Sequence, residues 1–263
     1  MKSQGAKTRE EPLRTISLGD YDAFVFDLDG VVTKTAKVHA AAWKDLFDSY
    51  LQERAEEKGE PFQSFDIDQD YREYVDGKPR YDGVKSFLDS RNIHLPWGDP
   101  GDDPGNESIC ALGNRKNRIF MSQLKRTPPE VYQSAVRLIR RLRRHGIVFA
   151  VVTASKNCDE VLEAASLSEL FSVRVDGNDL ERMSLQGKPA PDSYLEAARR
   201  LKVDPIRAVV CEDALAGVEA GRRGGFGLVV GVDRTGHSDE LKNHGADIVV
   251  TSLSQINLLE ERR

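Results

Sequence analysis

Short runs of apolar residues recur along the chain, and they alternate with stretches in which apolar positions have helical spacing. Such runs are typical of strands that are buried on both faces of a parallel sheet. The predicted strands are a run beginning at Phe24, then Ile147–Thr153, Ala208–Cys211, Leu228–Val230 and Ile248–Val250. Alternating strands and helices form βαβ units, so the sequence predicts an α/β protein with a mainly parallel, doubly wound sheet.

The pattern changes between about Lys34 and Lys125, where no apolar run of this strand type occurs. The segment from His39 to Ala55 has helical spacing, whereas residues 58–70 and 95–106 are rich in Gly, Pro and Asp. We therefore predict an inserted, mainly helical cap domain over residues 34–125, and a core domain formed by residues 1–33 and 126–263. An insertion placed here would cover the end of the first strand, as active-site lids do. The alternative is a surface elaboration without a role in a site.

The first predicted strand delivers two carboxylates, Asp27 and Asp29, to Gly30. Because side chains alternate along a strand, both acids are expected on the same face and close together. Ligand sites of parallel sheets lie beyond the carboxyl ends of the strands, where this pair falls. An ordinary acidic turn is the competing interpretation, since Asp and Gly are common turn residues.

Polar residues also follow the second strand and a later turn. Thr153, Ala154, Ser155 and Asn157 offer hydroxyls, an amide and backbone N–H groups at a helix start, which suits a bound phosphate. Ser155 or Asn157 could instead be an ordinary helix N-cap. Lys188 lies beside two prolines that stiffen the chain, which suits neutralisation of a phosphoryl group. It could equally be a surface lysine in a turn.

The third strand ends in two adjacent acids, Glu212 and Asp213. Adjacent carboxylates directly after a buried strand are costly unless positive charge lies near them. Mg²⁺ prefers hard oxygen ligands, so we expect Mg²⁺ bound by Asp27, Asp29, Glu212 and Asp213. Zinc fits poorly, because the chain has no suitable set of His and Cys ligands.

Composition narrows the possible partners. The chain has 263 residues and a net charge of −5, so it has no electrostatic reason to bind nucleic acid. The basic segment Arg137–Arg144 has apolar residues on one helical face and predicts a solvated amphipathic helix. The segment Met1–Asp20 lacks a signal-peptide core, no stretch is apolar for long enough to span a membrane, and the three cysteines lack paired or metal-ligand spacing. We therefore expect a cytoplasmic protein that binds neither nucleic acid nor a membrane.

Acids, hydroxyls, a lysine and a second pair of acids thus follow one another along the chain, each at a predicted strand end or loop. This order resembles the four sequence signatures of the haloacid dehalogenase superfamily. The matching residues are Asp27-Leu28-Asp29-Gly30, Thr153, Lys188 and Glu212-Asp213. The resemblance implies a Rossmannoid core, Mg²⁺ dependence, and Asp27 as the nucleophile that forms an aspartyl-phosphate. Asp29 would then act as acid and base, with a pKa raised by the neighbouring carboxylate.

The predicted cap resembles that of the β-phosphoglucomutases, in residues 27–43, 77–80 and 114–117, and the loops at 154–157 and 188–192 also match. The resemblance implies that His39 holds Asp29, that Trp43 packs on the sugar, and that Arg80 binds the phosphate that is not being transferred. The implied catalytic residues are Asp27, Asp29, Thr153 and Lys188. The implied substrate-binding residues are His39, Trp43, Gly77, Lys78, Arg80, Lys116, Ala154, Ser155 and Asn157.

The implied reaction interconverts β-D-glucose 1-phosphate and glucose 6-phosphate through an aspartyl-phosphate and a glucose 1,6-bisphosphate. Its partner would be a small-molecule sugar phosphate, and the enzyme is expected to be a monomer. The alternatives are a Mg-dependent phosphatase acting on a sugar phosphate or another small phosphomonoester, and a non-catalytic sugar-phosphate sensor. His39 and Trp43, one helical turn apart, could be packing residues, and Arg80 could be a solvated surface residue.

Three features depart from the β-phosphoglucomutase pattern. Lys34 stands where these enzymes commonly have an acid, and Asp76 stands where they tend to have a lysine. The predicted cap also has extra sequence around residues 52–71 and 95–110. The second of these segments is acidic and could alter sugar selection.

Overall fold

The structure, a computed structural model, describes residues 13–260 of the chain. Of the polar N-terminal segment Met1–Asp20, residues 1–12 lie outside the described residues. Between residues 13 and 260, no helix combines the length and the apolar character needed to cross a membrane.

A six-stranded parallel sheet forms the centre of the molecule. The described residues form this sheet and a separate pair made of the first and last strands. In chain order all of these strands are β1 (Arg14–Ser17), β2 (Ala23–Asp27), β3 (Val148–Val152), β4 (Val173–Val175), β5 (Ala208–Glu212), β6 (Leu228–Val232), β7 (Ile248–Val250) and β8 (Ile256–Leu259). The large sheet has the order β4-β3-β2-β5-β6-β7, so the chain builds outward from β2 first to one side and then to the other. Doubly wound sheets bind ligands beyond the carboxyl ends of the strands at this reversal. The predicted fold class is confirmed.

Helices cover both faces of this sheet. They are α1 (Ala36–Lys58), α2 (Arg80–Ser90), α3 (Ile109–Arg126), α4 (Gln133–Arg144), α5 (Cys158–Ala164), α6 (Gly177–Met183), α7 (Asp192–Leu201), α8 (Leu215–Arg223) and α9 (Ser238–Asn243). Phe24 and Phe26 of β2 pack in one apolar cluster with Leu138 of α4, whereas Val25 packs in another with Tyr194 of α7. Burial on both faces explains why the strand is an uninterrupted apolar run.

Helices α1, α2 and α3 pack around a separate aromatic cluster and fall within the predicted insertion of residues 34–125. The ring of Phe47 lies 4.1 Å from that of Phe87 and 5.3 Å from that of Trp43. We call this helical unit the cap and the rest of the described chain the core domain. The cap therefore has an apolar core of its own, which can hold side chains rigidly over the sheet. Its exact boundaries stay a prediction.

The basic segment predicted as an amphipathic helix is α4. It buries Val136, Leu138, Ile139 and Leu142, and its arginines lie mainly on the solvent side. This packing confirms the helical interpretation of the segment.

Three short strands, β1, β4 and β8, had no signal in the sequence pattern. Strands β1 and β8 form a separate parallel pair in which Arg14 lies beside Ile256. Each of the three is short and contains a polar residue, so it lacks the uninterrupted apolar run that marks a strand as short as β7.

Strand β2 ends at Asp27, and Asp29 lies in the turn that follows. The expectation that strand alternation places both acids on one face is therefore wrong for Asp29. Gly30 has a positive φ of 92°, and it turns the chain back so that its N–H donates to the carbonyl of Thr33 at 2.7 Å. The two carboxylates still meet in one site, because this turn and the contacts described below hold Asp29 there.

Candidate active site

A cavity of about 820 Å³ lies between the carboxyl ends of the core strands and the cap. Residues from both parts of the molecule line it. Of the residues predicted from the sequence, it is lined by Asp27, Asp29, His39, Trp43, Gly77, Lys78, Arg80, Lys116, Thr153, Ala154, Ser155, Asn157, Lys188 and Glu212. Asp213 alone among them does not line the cavity, although it lies next to Asp27.

Lys188 is buried between two carboxylates. Its Nζ donates to Asp27 Oδ1 at 2.5 Å and to Glu212 Oε2 at 2.8 Å. Burial alone would lower the pKa of Lys188, but the two carboxylates outweigh it and hold that pKa well above its usual value. Lys188 is therefore a fixed positive charge beside the carboxyl end of β2, and it is not a surface lysine.

Three carboxylates form a group that fits a metal ion. Asp27, Glu212 and Asp213 each offer one oxygen within 4.8 Å of the others. Burial, and after it neighbouring negative charge, raises the pKa of both Asp27 and Asp213 well above its usual value. Such crowding indicates a need for positive charge in addition to Lys188, and an oxygen-only donor set suits a hard divalent cation. Gly30 permits this approach, because a Cβ there would overlap the carboxylate of Asp213.

The side chain of Asp29 is held apart from this group. It accepts hydrogen bonds from Thr35 and, at 2.9 Å, from Thr153 Oγ1, and its Oδ1 lies 3.4 Å from His39 Nε2. Burial opposes ionisation of Asp29, but the nearby His39 and the hydrogen bonds from the two hydroxyl groups together lower its pKa. The expectation of a raised pKa for Asp29 is therefore wrong, and the raised pKa belongs to Asp27. As a metal ligand, Asp29 stays a prediction.

His39 connects Asp29 to the cap lysine Lys116. The imidazole stacks on Phe120 at 4.0 Å, and its Nδ1 lies 2.6 Å from Lys116 Nζ. Burial, and then the positive charge of Lys116, lowers the pKa of His39. Burial, and then the positive charge of Arg80, lowers the pKa of Lys116 to about 7, and the more weakly acting carboxylate of Asp29 does not offset them. Lys116 Nζ also lies over the ring of Trp43, 4.8 Å from the centroid.

Trp43 is a packing residue as well as a lining residue. Only 4% of it is exposed, and it belongs to the aromatic cluster of the cap. Trp43 also lines the cavity. It is therefore a packing residue of the cap, and it also lies where it could contact a bound sugar.

Arg80 and Lys116 are two largely buried cations of the cap that line the cavity. Within residues 13–260, neither forms an ion pair at 4.0 Å or less. The guanidinium of Arg80 lies over the ring of Tyr81 at 5.4 Å, and burial lowers its pKa. Lys78 also lines the cavity, but its Nζ already donates a hydrogen bond to Ser86 Oγ at 2.9 Å. Two positive charges that lack an acidic partner among the described residues face the cavity, as expected of an anion-binding site.

The loop that precedes Arg80 lies directly on the core domain. A Cβ at Gly77 would come within 3.2 Å of the Cβ of Ala214, and a Cβ at Gly187 would overlap the ring of Pro79. Gly77 also has a positive φ of 70°, which glycine adopts without strain. These contacts hold the start of α2, where Arg80 lies, against the segment after β5 and the turn that carries Lys188.

The predicted phosphate cradle is a compact turn in front of α5. Thr153 Oγ1 accepts the N–H of Ser155 at 3.1 Å, and Ser155 Oγ accepts the N–H of Asn157 at 3.1 Å. The side chain of Asn157 makes no capping hydrogen bond, and instead donates to Asn117 Oδ1 of the cap at 2.7 Å. The ordinary N-cap interpretation therefore does not describe Asn157, which joins the cap to the core.

Sequence reasoning missed several residues of the site. Tyr194 donates a hydrogen bond to Glu212, and Asn117 and Tyr71 line the cavity. Asp76, noted only as a departure from a family pattern, lies close to the acidic group, and burial followed by the charge of Glu212 raises its pKa to about 7. None of these residues directly follows a predicted strand, and apart from Asn117 none belongs to a segment that resembles a family motif. Only the resemblance to Asn114-Arg115-Lys116-Asn117 could have indicated Asn117.

Fold and site together define a phosphotransferase with a haloacid dehalogenase core: a strand-end carboxylate, a fixed lysine, an acidic group and an anion site in a cap. The sequence profile of the haloacid dehalogenase-like hydrolases matches residues 21–225. The chain is 48% identical to a β-phosphoglucomutase of Mycobacterium bovis over 89% of this chain and 90% of that protein. A β-phosphoglucomutase of Bacillus subtilis is 32% identical over 90% of this chain and 92% of its own length.

The same relationship is present among solved structures. A β-phosphoglucomutase from Clostridium difficile superimposes with a TM-score of 0.70 at 28% identity, over 89% of this chain and 92% of that one. The chain belongs to the β-phosphoglucomutase family of the haloacid dehalogenase superfamily. The resemblance found in the sequence is thereby confirmed.

Proposed function

We propose that this enzyme interconverts β-D-glucose 1-phosphate and glucose 6-phosphate, with Mg²⁺ as its cofactor. One observation carries the proposal: a single cavity contains the Asp27–Lys188 pair in the core and two unpaired cations, Arg80 and Lys116, in the cap. A hexose bisphosphate carries a phosphate at each end, so a mutase needs an anion site besides the reacting centre. A phosphatase for small monoesters needs only the reacting centre.

Asp27 is the nucleophile of the proposed reaction. Its carboxylate oxygen attacks the phosphorus of the bisphosphate, the bond from phosphorus to the sugar oxygen breaks, and an aspartyl-phosphate forms. Lys188 stays within 2.5 Å of Asp27 and neutralises charge on the transferring group. Mg²⁺, held by Asp27, Glu212 and Asp213 with Asp29 as a further predicted ligand, would supply additional positive charge there.

Asp29 is the acid and base of the proposed reaction. Its lowered pKa keeps it ionised, so it can accept the proton of the sugar hydroxyl that attacks the aspartyl-phosphate. It then holds that proton and can return it to a leaving sugar oxygen. Thr35, Thr153 and His39 orient the carboxylate for both steps.

The cap selects which acceptor reaches the aspartyl-phosphate. Arg80 and Lys116 hold the phosphate that is not transferred, while the turn from Thr153 to Asn157 offers hydroxyl and N–H groups to the phosphate at Asp27. Both phosphates of the intermediate fit either place, so the bisphosphate can bind in two orientations. This exchange of ends turns the 1-phosphate into the 6-phosphate.

A coupled assay tests the proposal. Purified enzyme is supplied with β-glucose 1-phosphate, Mg²⁺ and a priming amount of β-glucose 1,6-bisphosphate, and glucose 6-phosphate and inorganic phosphate are both measured. We expect glucose 6-phosphate as the main product, and none when EDTA replaces Mg²⁺. Inorganic phosphate as the main product would instead identify a phosphatase. The monomeric state and the cytoplasmic location stay predictions.

A further inference from the structure

The mouth of the cavity has walls of different chemistry. On the cap side it is lined by Tyr81, Trp97 and Pro100, and on the core side by Lys156 and Glu181. Trp97 and Pro100 belong to the extra segment around residues 95–110, which the proposed reaction does not use. We call these five residues the mouth site.

Trp97 presents an aromatic surface that the protein itself does not cover. It is 46% exposed and meets Tyr81 edge-on, with the ring centroids 6.3 Å apart. Exposed tryptophan on a cavity wall offers a large apolar face to a ligand at a low cost in side-chain entropy. Its place on the wall of the catalytic cavity, and not on an outer surface, points to a bound molecule.

The loop that carries Trp97 is anchored at several points. The side-chain amide of Asn114 donates to the carbonyls of Pro100 and Asp102, each at 3.0 Å. The carbonyl of Trp97 accepts the N–H of Cys110 at 3.0 Å, and Ser108 Oγ donates to Asp102 at 2.6 Å. The aromatic wall is therefore fixed before a ligand arrives, which lowers the cost of binding.

The opposite wall is polar and lies within reach of the aromatic one. Lys156 Nζ pairs with Glu181 at 2.8 Å and lies 5.8 Å from the centre of the Tyr81 ring. A sugar ring has an apolar C–H face and a rim of hydroxyl groups, so it can stack on an aromatic side chain while its hydroxyls meet charged groups. The two walls match those two parts of a sugar.

The mouth site lies outward from the phosphate site of the cap. The guanidinium of Arg80 lies 5.4 Å from the centre of the Tyr81 ring, and Trp97 meets that same ring edge-on, so Tyr81 connects the mouth site to the phosphate site. The proposed mutase reaction, which uses Asp27 and Arg80, assigns no sugar ring to Trp97. The cavity volume of about 820 Å³ lies in the upper part of the ~300–1,000 Å³ range of small-molecule pockets, which leaves room for a longer ligand.

We propose that the mouth site binds a second sugar ring, so that the enzyme takes phosphorylated disaccharides as ligands in addition to hexose phosphates. The phosphate of such a ligand occupies the site of Arg80 and Lys116, and the unphosphorylated ring stacks on Trp97. This inference rests on the proposed function only for the location of the phosphate.

Calorimetric titration of the full chain carrying Asp27→Asn, which prevents turnover, tests the inference. The two probes are trehalose 6-phosphate and glucose 6-phosphate. Because a stacked ring adds one aromatic contact, we expect the disaccharide phosphate to bind roughly tenfold more tightly than the monosaccharide phosphate. Adding Trp97→Ala should remove this difference, whereas Trp97→Phe should keep most of it.

Phe62→Ala is the matched control, because Phe62 is an aromatic residue of the cap with a similar exposure of 47% that does not line the cavity. It should keep the full difference in affinity. Equal affinity of the two probes, or a difference that survives Trp97→Ala, would overturn the inference. Since both results come from binding without turnover, they do not depend on the product found in the mutase assay, and either proposal can fail without the other.

Discussion

The core domain and the cap differ in whether their buried cations are compensated by carboxylates. In the core, Lys188 is held between the carboxylates of Asp27 and Glu212 at 2.5 and 2.8 Å, so its charge is compensated within the protein. In the cap, within the described part of the chain, Arg80 and Lys116 have no carboxylate at ion-pair distance. Burial accordingly lowers the pKa of both cap residues, whereas the pKa of Lys188 is raised.

This difference separates two tasks. Charges that are paired with one another hold a reacting centre in place before substrate arrives, and they stand on the ends of buried strands that cannot easily shift. Charges that are left unpaired gain a partner only when an anion binds. We therefore assign the chemical step to the core and substrate recognition to the cap. The following experiments test this division of roles.

The largest effect is expected at the nucleophile. Asp27→Asn removes the attacking carboxylate oxygen, so kcat should fall by roughly 10⁴-fold or more, and no phosphorylated enzyme should be detectable by intact-protein mass spectrometry. The matched control is Asp68→Asn, an exposed acid of the cap, which should behave as the wild type. Unchanged biological activity of Asp27→Asn would favour the sensor alternative instead of an enzyme.

A pair of lysine substitutions compares the two kinds of buried charge directly. Lys188→Met leaves Asp27 and Glu212 without their counter-charge, and should lower the free energy of unfolding by about 3–5 kcal/mol. Lys116→Met removes a buried cation that has no acidic partner. It should change the free energy of unfolding by less than about 1 kcal/mol, or raise it. Urea denaturation followed by circular dichroism measures both values. Equal destabilisation by the two substitutions would contradict the division.

The anion site of the cap should contribute to affinity. Arg80→Ala removes a guanidinium that can bind phosphate through two hydrogen bonds, so kcat/KM for β-glucose 1-phosphate should fall by about 100-fold, mainly through KM. Arg80→Lys should restore only part of this loss. The control is Arg118→Ala, an exposed arginine on the same helix as Lys116, which should have no effect. An unchanged KM in the Arg80→Ala variant would show that Arg80 does not bind the substrate phosphate.

The smallest effect is a pH dependence set by Lys116. Because its pKa is lowered to about 7, Lys116 is charged below that pH and loses its charge as the pH rises through it. The profile of kcat/KM reports the free enzyme, so it should fall by up to about tenfold per unit above pH 7. The control is Lys116→Arg, whose side chain stays charged throughout the measured pH range. Any fall in kcat/KM that both proteins share then comes from titration of the substrate phosphate or of other groups. Parallel profiles for the two proteins between pH 6 and 9 would show that Lys116 does not set the fall.

Local sequence was sufficient for the core half of the site. Asp27, Thr153 and Glu212 follow or end buried apolar strands, and parallel strands bring their carboxyl ends to one edge of a sheet whatever the loops do between them. The pattern of apolar runs therefore determined both the fold class and the position of these residues. Lys188 follows no strand, and its local sequence left a surface lysine in a turn as an equal alternative, so only the family resemblance selected it.

Only the tertiary structure decided the rest. Asp29 lies beyond the end of its strand, and the lowering of its pKa comes from Thr35, Thr153 and His39, which belong to separate segments. The absence of an acidic partner for Arg80 and Lys116 within residues 13–260, and the meeting of Trp97 with Tyr81, depend on how the cap packs on itself. A sequence specifies which charges and rings a chain has. Their energies depend on the burial and distances that arise only when distant segments fold together.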